Sequence, residues 1–141
     1  MQVLWKDEYS IGLSYIDTQH KELFSRAAAL FSALDSDEAW EAKKARVQET
    51  REFLKEYVIK HFQDEEEYQR SVGYPGLKEH TRMHNGMLIY IYNFDTAYEQ
   101  DEDNEALVRQ FAQKLLDWLV HHISVQDRKI GEYVKSSSKN G

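Results

Sequence analysis

One proline interrupts 141 residues, and it lies mid-chain in "SVGYPG", at Pro75. Proline and glycine are the residues that most often end helices, so a chain this poor in them is free to build long ones. Apolar residues recur three and four apart on both sides of that break, the repeat of an amphipathic helix. In "DTQHKELFSRAAALFSAL" they are Leu23, Phe24, Ala27, Leu30, Phe31 and Leu34, with Asp17 or Thr18 as the expected N-cap. A second helix is expected from about Asp37 to Arg70, with Val47, Leu54, Tyr57, Val58 and Phe62 inward. A third runs from about Leu77 to Tyr98 on Met87, Leu88, Ile91 and Phe94. A fourth, carrying Leu107, Phe111, Leu115, Trp118 and Leu119, reaches about Tyr133. Short connections between four such helices predict an all-α fold, an up-down-up-down antiparallel four-helix bundle. An aromatic arm, residues 1–16 with Trp5, Tyr9 and Tyr15, precedes it. Residues 1–135 form one expected domain, and the polar stretch 136–141 an expected disordered tail.

The faces of these helices carry more than core. Residues four apart on a helix differ by roughly 40° in direction and share a face. His61 therefore points inward with Leu54 and Val58, and Glu65 follows it one turn later. His80 and His84 share the face of Met87 and Ile91, and His20 that of Leu23, Phe24 and Ala27. On the fourth helix His122 lies about 20° from the Leu115 direction and His121 about 120° from it, so His122 is the inward one. Asp127, five residues on, falls about 140° from His122 on an ideal helix. Either it reaches in from the flank, or a π-bulge widens the helix there.

A single histidine on an apolar face is usually a core residue with one hydrogen bond. Five inward histidines and two inward carboxylates, spread over four helices, are a different matter, because each unpaired one would destabilise the core. Metal ions resolve the conflict, since imidazole and carboxylate are both ligands. Tetrahedral zinc needs only four. Seven donors suit two ions with carboxylates between them, and a set rich in imidazole points to iron rather than magnesium, calcium or manganese.

The bulk numbers narrow the alternatives. A net charge of −7 with no basic stripe argues against nucleic acid as a partner. The absence of cysteine excludes disulfides, iron–sulfur clusters and thiolate zinc sites, and fits a reducing compartment. The start, "MQVLWKDEYS", lacks the basic-then-apolar pattern of an export signal, and no apolar run is long enough for a membrane span. A soluble cytoplasmic protein is expected, with no membrane partner.

The ordered pattern of a His, then HxxxE, HxxxH and HxxxxD resembles the hemerythrin family, in particular its single-domain bacterial members. "IGLSYIDTQHKELF" is similar to the family's amino-terminal segment, "HFQDEEEY" and "GYPGLKEHTRMH" to its middle motifs, and "WLVHHISVQD" to its last. Its five-residue His-to-Asp spacing also selects His122. The resemblance implies a non-haem di-iron centre with an oxo or hydroxo bridge that binds O2 reversibly. By motif position, His80, His84 and His122 would hold one iron and His20 and His61 the other. Glu65 and Asp127 would bridge them, leaving one open position for O2 on the second iron. Leu23, Phe62 and Val120 are the expected apolar wall of that O2 pocket. The implied use is storage, transport or delivery of O2 rather than catalysis, since two carboxylates and five imidazoles should make high-valent iron less accessible than a carboxylate-rich site does. The alternatives are an O2 or redox sensor acting through a partner, and a di-iron oxidase, peroxidase or nitric-oxide reductase. Besides O2, a separate O2-consuming or signalling protein is the remaining candidate partner.

Overall fold

The computed structural model describes residues 5–140, with side chains described to residue 136. A 3₁₀ turn (Asp7–Tyr9) in the N-terminal arm leads to α1 (Ser14–Leu34). The second rod is α2 (Trp40–Phe53), a π-helical turn (Leu54–Val58) and α3 (Ile59–Ser71) in unbroken succession. α4 (Leu77–Gln100) is the third. The fourth joins α5 (Glu105–His121), a second π-helical turn (His122–Asp127) and α6 (Arg128–Asn140). α1 packs on α2, α3 on α4, α4 on α5, and α5 back on α1. This is an up-down-up-down antiparallel four-helix bundle with an N-terminal arm.

The apolar repeats make the core. Leu23, Phe24, Ala27, Leu30 and Leu34 of α1 meet Met87, Ile91 and Phe94 of α4 and Val108, Phe111, Leu115 and Leu119 of α5 in one buried cluster. Leu107 and Trp118, expected inward, are half-buried at its margin, and Val108, Ala112 and Leu116 take the deeper positions. Tyr57 is likewise half-buried and stacks on Phe53 at 4.6 Å.

Several boundaries differ from the sequence expectation, each for a local reason. α1 begins at Ser14, so Tyr15 belongs to the helix and neither Asp17 nor Thr18 caps it. Asp17 sits in the first turn and reaches back, accepting from the Ile11 N–H at 2.9 Å and from the Ser10 hydroxyl. It ties the arm to the helix, and a carboxylate there also suits the positive end of the helix dipole. The second rod starts at Trp40, not Asp37. Its end is a Schellman turn: Gly73 has φ +68°, and the Tyr74 N–H donates to the Gln69 carbonyl at 2.9 Å. Pro75 follows, and the chain reverses. The fourth rod continues past Tyr133 to Asn140, through Ser and Lys residues that contain no breaker. Residues 136–140 of the expected tail are therefore helical in backbone, and Gly141 lies outside the described residues.

Gly131 has a packing reason to be glycine. A Cβ there would lie 2.8 Å from the Ile11 carbonyl oxygen and 3.1 Å from the Ile11 Cα. The arm thus crosses α6 at backbone distance. Gly131→Ala should push the arm off α6 and destabilise the protein by about 1–3 kcal/mol, even though alanine is the better helix former. Thermal unfolding checks this, and a variant as stable as the parent would mean that the arm yields freely.

No helix among the described residues is long and apolar enough to cross a membrane.

Candidate metal centre

The four rods bring seven polar side chains to one level of the bundle. α1 supplies His20. α3 supplies His61 and Glu65 just before the Gly73 turn, and α4 supplies His80 and His84 just after it. His122 and Asp127 stand at the two ends of the second π turn. In α-helical geometry, residues five apart diverge; the i→i+5 ladder of a π turn brings them over one another. The widened helix, one of the two geometries open from the sequence, is the one present. All seven residues are buried, none more than 3% exposed. His121, next to His122, is exposed.

The donors fall into two groups. In the first, His80 Nε2 is 2.8 Å from both Glu65 Oε1 and Asp127 Oδ1. His84 Nε2 lies 3.4 Å from Glu65 Oε1, and His122 Nε2 3.1 Å from Asp127 Oδ1. In the second, His20 Nε2 is 3.0 Å from Glu65 Oε2 and 3.1 Å from Asp127 Oδ2. His61 Nε2 is 3.3 Å from Glu65 Oε2. Each carboxylate therefore turns one oxygen toward each group. The first group converges as five donors, and the second as His20, His61 and Glu65, with Asp127 Oδ2 close to His20 alone.

The chemistry of these donors fits metal ions. The His84 and His122 Nε2 atoms are 3.1 Å apart, and those of His122 and His80 3.0 Å. Adjacent ligands of an octahedral ion with bonds of about 2.1 Å are separated by roughly 3.0 Å. The tautomers agree. His84 Nδ1 lies 2.9 Å from Glu66 Oε2, and His61 Nδ1 2.7 Å from Gln19 Oε1. Each ring must donate through Nδ1 to these oxygens, so each neutral ring presents a lone pair on Nε2. Lone pairs converging in a dry core repel unless a cation lies between them. Asp127 makes the same demand, because both of its buried carboxylate oxygens lack a well-aligned hydrogen-bond donor.

Electrostatics point the same way. Burial pulls the His20 imidazole down, but the Asp127 and Glu65 carboxylates beside it more than reverse this and carry it up to about 10. His80 goes up to about 9 against the same burial and with the same two partners. Burial would raise Glu65, yet four surrounding imidazoles hold it well below the usual carboxylate range. Asp127 is opposed by burial and by the charge of Glu65, and is still held low by His122 and His20. Burial dominates at His61 and His122 and lowers both. The centre is thus two carboxylates kept ionised out of water, which attract positive charge.

The residues expected to wall a pocket are placed unevenly. Phe62 is buried and stacks flat on His84 at 3.9 Å, tilting against His61 at 5.8 Å, so it touches both groups. Leu23 is buried in the core cluster, and Val120 is half-buried against it. Sequence reasoning missed Trp118 in this role: it stacks on His122 at 4.2 Å and leans on Phe62 at 5.8 Å. It also left the supporting shell unassigned. Gln19 holds His61 while donating to Asp64 at 2.8 Å, and Glu66 holds His84 while accepting from the Thr81 hydroxyl at 3.0 Å. Each of these supports adjoins an inward donor in the sequence (Gln19 beside His20, Glu66 beside Glu65), which is the only signal the sequence offers for them.

Comparison with known proteins agrees with this geometry. A family model described as the hemerythrin HHE cation binding domain matches residues 11–134. A bacteriohemerythrin of Clostridium acetobutylicum is 30% identical over 126 residues, covering 89% of this chain and 96% of that protein. One from Stenotrophomonas maltophilia is 27% identical over 134 residues, covering 95% of this chain and 82% of its own. One from Campylobacter jejuni is 26% identical over 133 residues, 92% of this chain and 93% of its own.

Proposed function

Because the chain belongs to the hemerythrin family, whose domain binds a non-haem di-iron pair, we propose that its seven buried donors hold two iron ions and that it binds O2 reversibly beside them. His80, His84 and His122 would hold one ion and His20 and His61 the other, with Glu65 and Asp127 between them. The observation that carries this reading is the inequality of the two groups. Five donors converge on one position and only His20, His61 and Glu65 on the other, so the His20–His61 side keeps more room for a small ligand.

Iron held there would supply the two-electron chemistry of reversible O2 binding. The chain's own residues do the rest. Glu65 and Asp127 neutralise part of the buried charge. Gln19 and Glu66 lock His61 and His84 with their Nε2 lone pairs inward. Phe62 and Trp118 cover donor rings with hydrocarbon and exclude water. With two carboxylates against five imidazoles, the donor set favours carriage over oxidation of a second substrate. The proposed role is accordingly storage, transport or delivery of O2, not enzymatic turnover. A cytoplasmic location, where the pair can be kept reduced, suits that use.

The metal content tests the first step. Purified protein reconstituted under reducing conditions should hold two irons per chain. One tightly held zinc per chain, with no uptake of iron, would refute the proposal.

A further inference from the structure

One buried polar side chain beside the centre is neither a metal donor nor a support for one. Gln69 is fully buried, and neither its amide nitrogen nor its amide oxygen has a hydrogen-bond partner. An amide in that state is costly, because it has left water without replacing its hydrogen bonds. Ile16, four residues before His20, and Ile130, three after Asp127, occupy the corresponding turn of α1 and α6, and both are fully buried. Gln69 stands four residues after Glu65 on α3 and so shares the face that carries the bridging carboxylate, one turn nearer the Gly73 end. The orphaned amide thus lies one helical turn from the Glu65 carboxylate in the same core.

We propose that the Gln69 amide holds an internal water against the Glu65–Asp127 carboxylates, which makes Gln69 a positioning residue for the metal pair. The spacing suits one water. Side chains four apart on a helix are neighbours on one face, and a single water can bridge the ends of two such polar side chains. The water accepts from the Gln69 NH2 and donates to a carboxylate oxygen, and buried waters characteristically satisfy polar groups left in this way. A hydrogen bond donated to a bridging carboxylate draws electron density from it. This favours the reduced pair, which carries less positive charge and needs less compensation. Gln69 therefore raises the potential of the centre and helps to keep it in the O2-binding state.

The inference rests on the di-iron reading, and the experiment separates the two. Gln69→Met and Gln69→Leu keep a side chain of similar bulk and remove the amide; the unbranched Met variant serves if Leu fails to fold. Iron content and two-electron midpoint potential are measured on the loaded parent and variants. A high-resolution crystal structure of the loaded parent is inspected at Gln69. The variants should retain two irons per chain. At a fixed applied potential their ratio of oxidised to reduced pair should rise roughly tenfold, a shift of about 30 mV for a two-electron couple. The parent structure should show a water within hydrogen-bond reach of the Gln69 amide and of Glu65 or Asp127. A merely structural amide would leave the potential unmoved. Loaded variants within twofold of the parent ratio, or a parent structure with no water at the amide, overturn the inference while leaving the di-iron reading intact. A parent that takes up no iron overturns both.

Discussion

His122→Ala should abolish the di-iron centre, and His121→Ala should leave it whole. The two residues are adjacent and chemically identical, so the contrast isolates geometry. His122 is 3% exposed, and its Nε2 lies within 3.1 Å of Asp127 Oδ1 and of His80 and His84 Nε2. His121 is exposed on the outer face of α5. Removing His122 leaves two imidazoles where three converge, takes away the ring against which Trp118 stacks, and opens a space beside Asp127 that water can enter. Iron should fall from two per chain to one or fewer, with loss of the absorption bands of the bridged pair. His121→Ala should keep both irons and the spectrum. Circular dichroism confirms that each variant is helical. The reverse pattern would mean that α5 presents the opposite face to the bundle.

The second large effect belongs to Glu65. No other side chain of the centre lies close to the same four histidines: His20 at 3.0 Å, His61 at 3.3 Å, His80 at 2.8 Å and His84 at 3.4 Å. Its two oxygens address the two donor groups separately. Glu65→Gln preserves the shape but removes a negative charge and turns an NH2 toward nitrogens that need an acceptor or a cation. Two buried cations would then share one carboxylate, an imbalance that a low-dielectric interior penalises strongly. Loss of a hydrogen bond to a metal ligand typically costs about 10–100-fold in affinity, so loss of a bridging ligand should cost more than about 100-fold. Titration with ferrous iron in the presence of a competing chelator measures it. Unchanged affinity and an unchanged spectrum would show that Glu65 does not bridge.

The parts of this arrangement that obey helical periodicity are legible in the sequence itself. His61 and Glu65, or His80 and His84, declare a common face because four residues make nearly one turn. The seven donors are conspicuous because inward charge on four helices has no apolar explanation. Asp127 is legible as a conflict: its five-residue spacing from His122 disagrees with an α-helix, and the π turn is how the disagreement is resolved. The other π turn, Leu54–Val58, leaves no such trace, since Leu54 and Val58 are four apart and look inward under ordinary helical geometry. The features that escape the sequence depend on contacts distant along the chain. Asp17 has the residue type of a helix cap, and its real partners, Ser10 and Ile11, meet it only because the arm folds back. Gln19 and Glu66 point along helix flanks, and whether such groups meet an imidazole is decided by the crossing of α1, α3 and α4. Gln69 sits at an inward position that a pattern of apolar residues would fill with hydrocarbon, and only its burial shows that an amide is there instead.

The central claim is that the centre carries O2 without consuming it, and repeated O2 uptake and release by the reduced, iron-loaded protein tests it most directly. Peroxide in solution is assayed at each cycle. The protein should take up about one O2 per iron pair, as two-electron chemistry at a single pair requires. It should return that O2 under vacuum in its reduced form over successive cycles, with little peroxide released. Stoichiometric peroxide on every cycle, with no O2 recovered, would contradict the account and mark the centre as one that reduces O2.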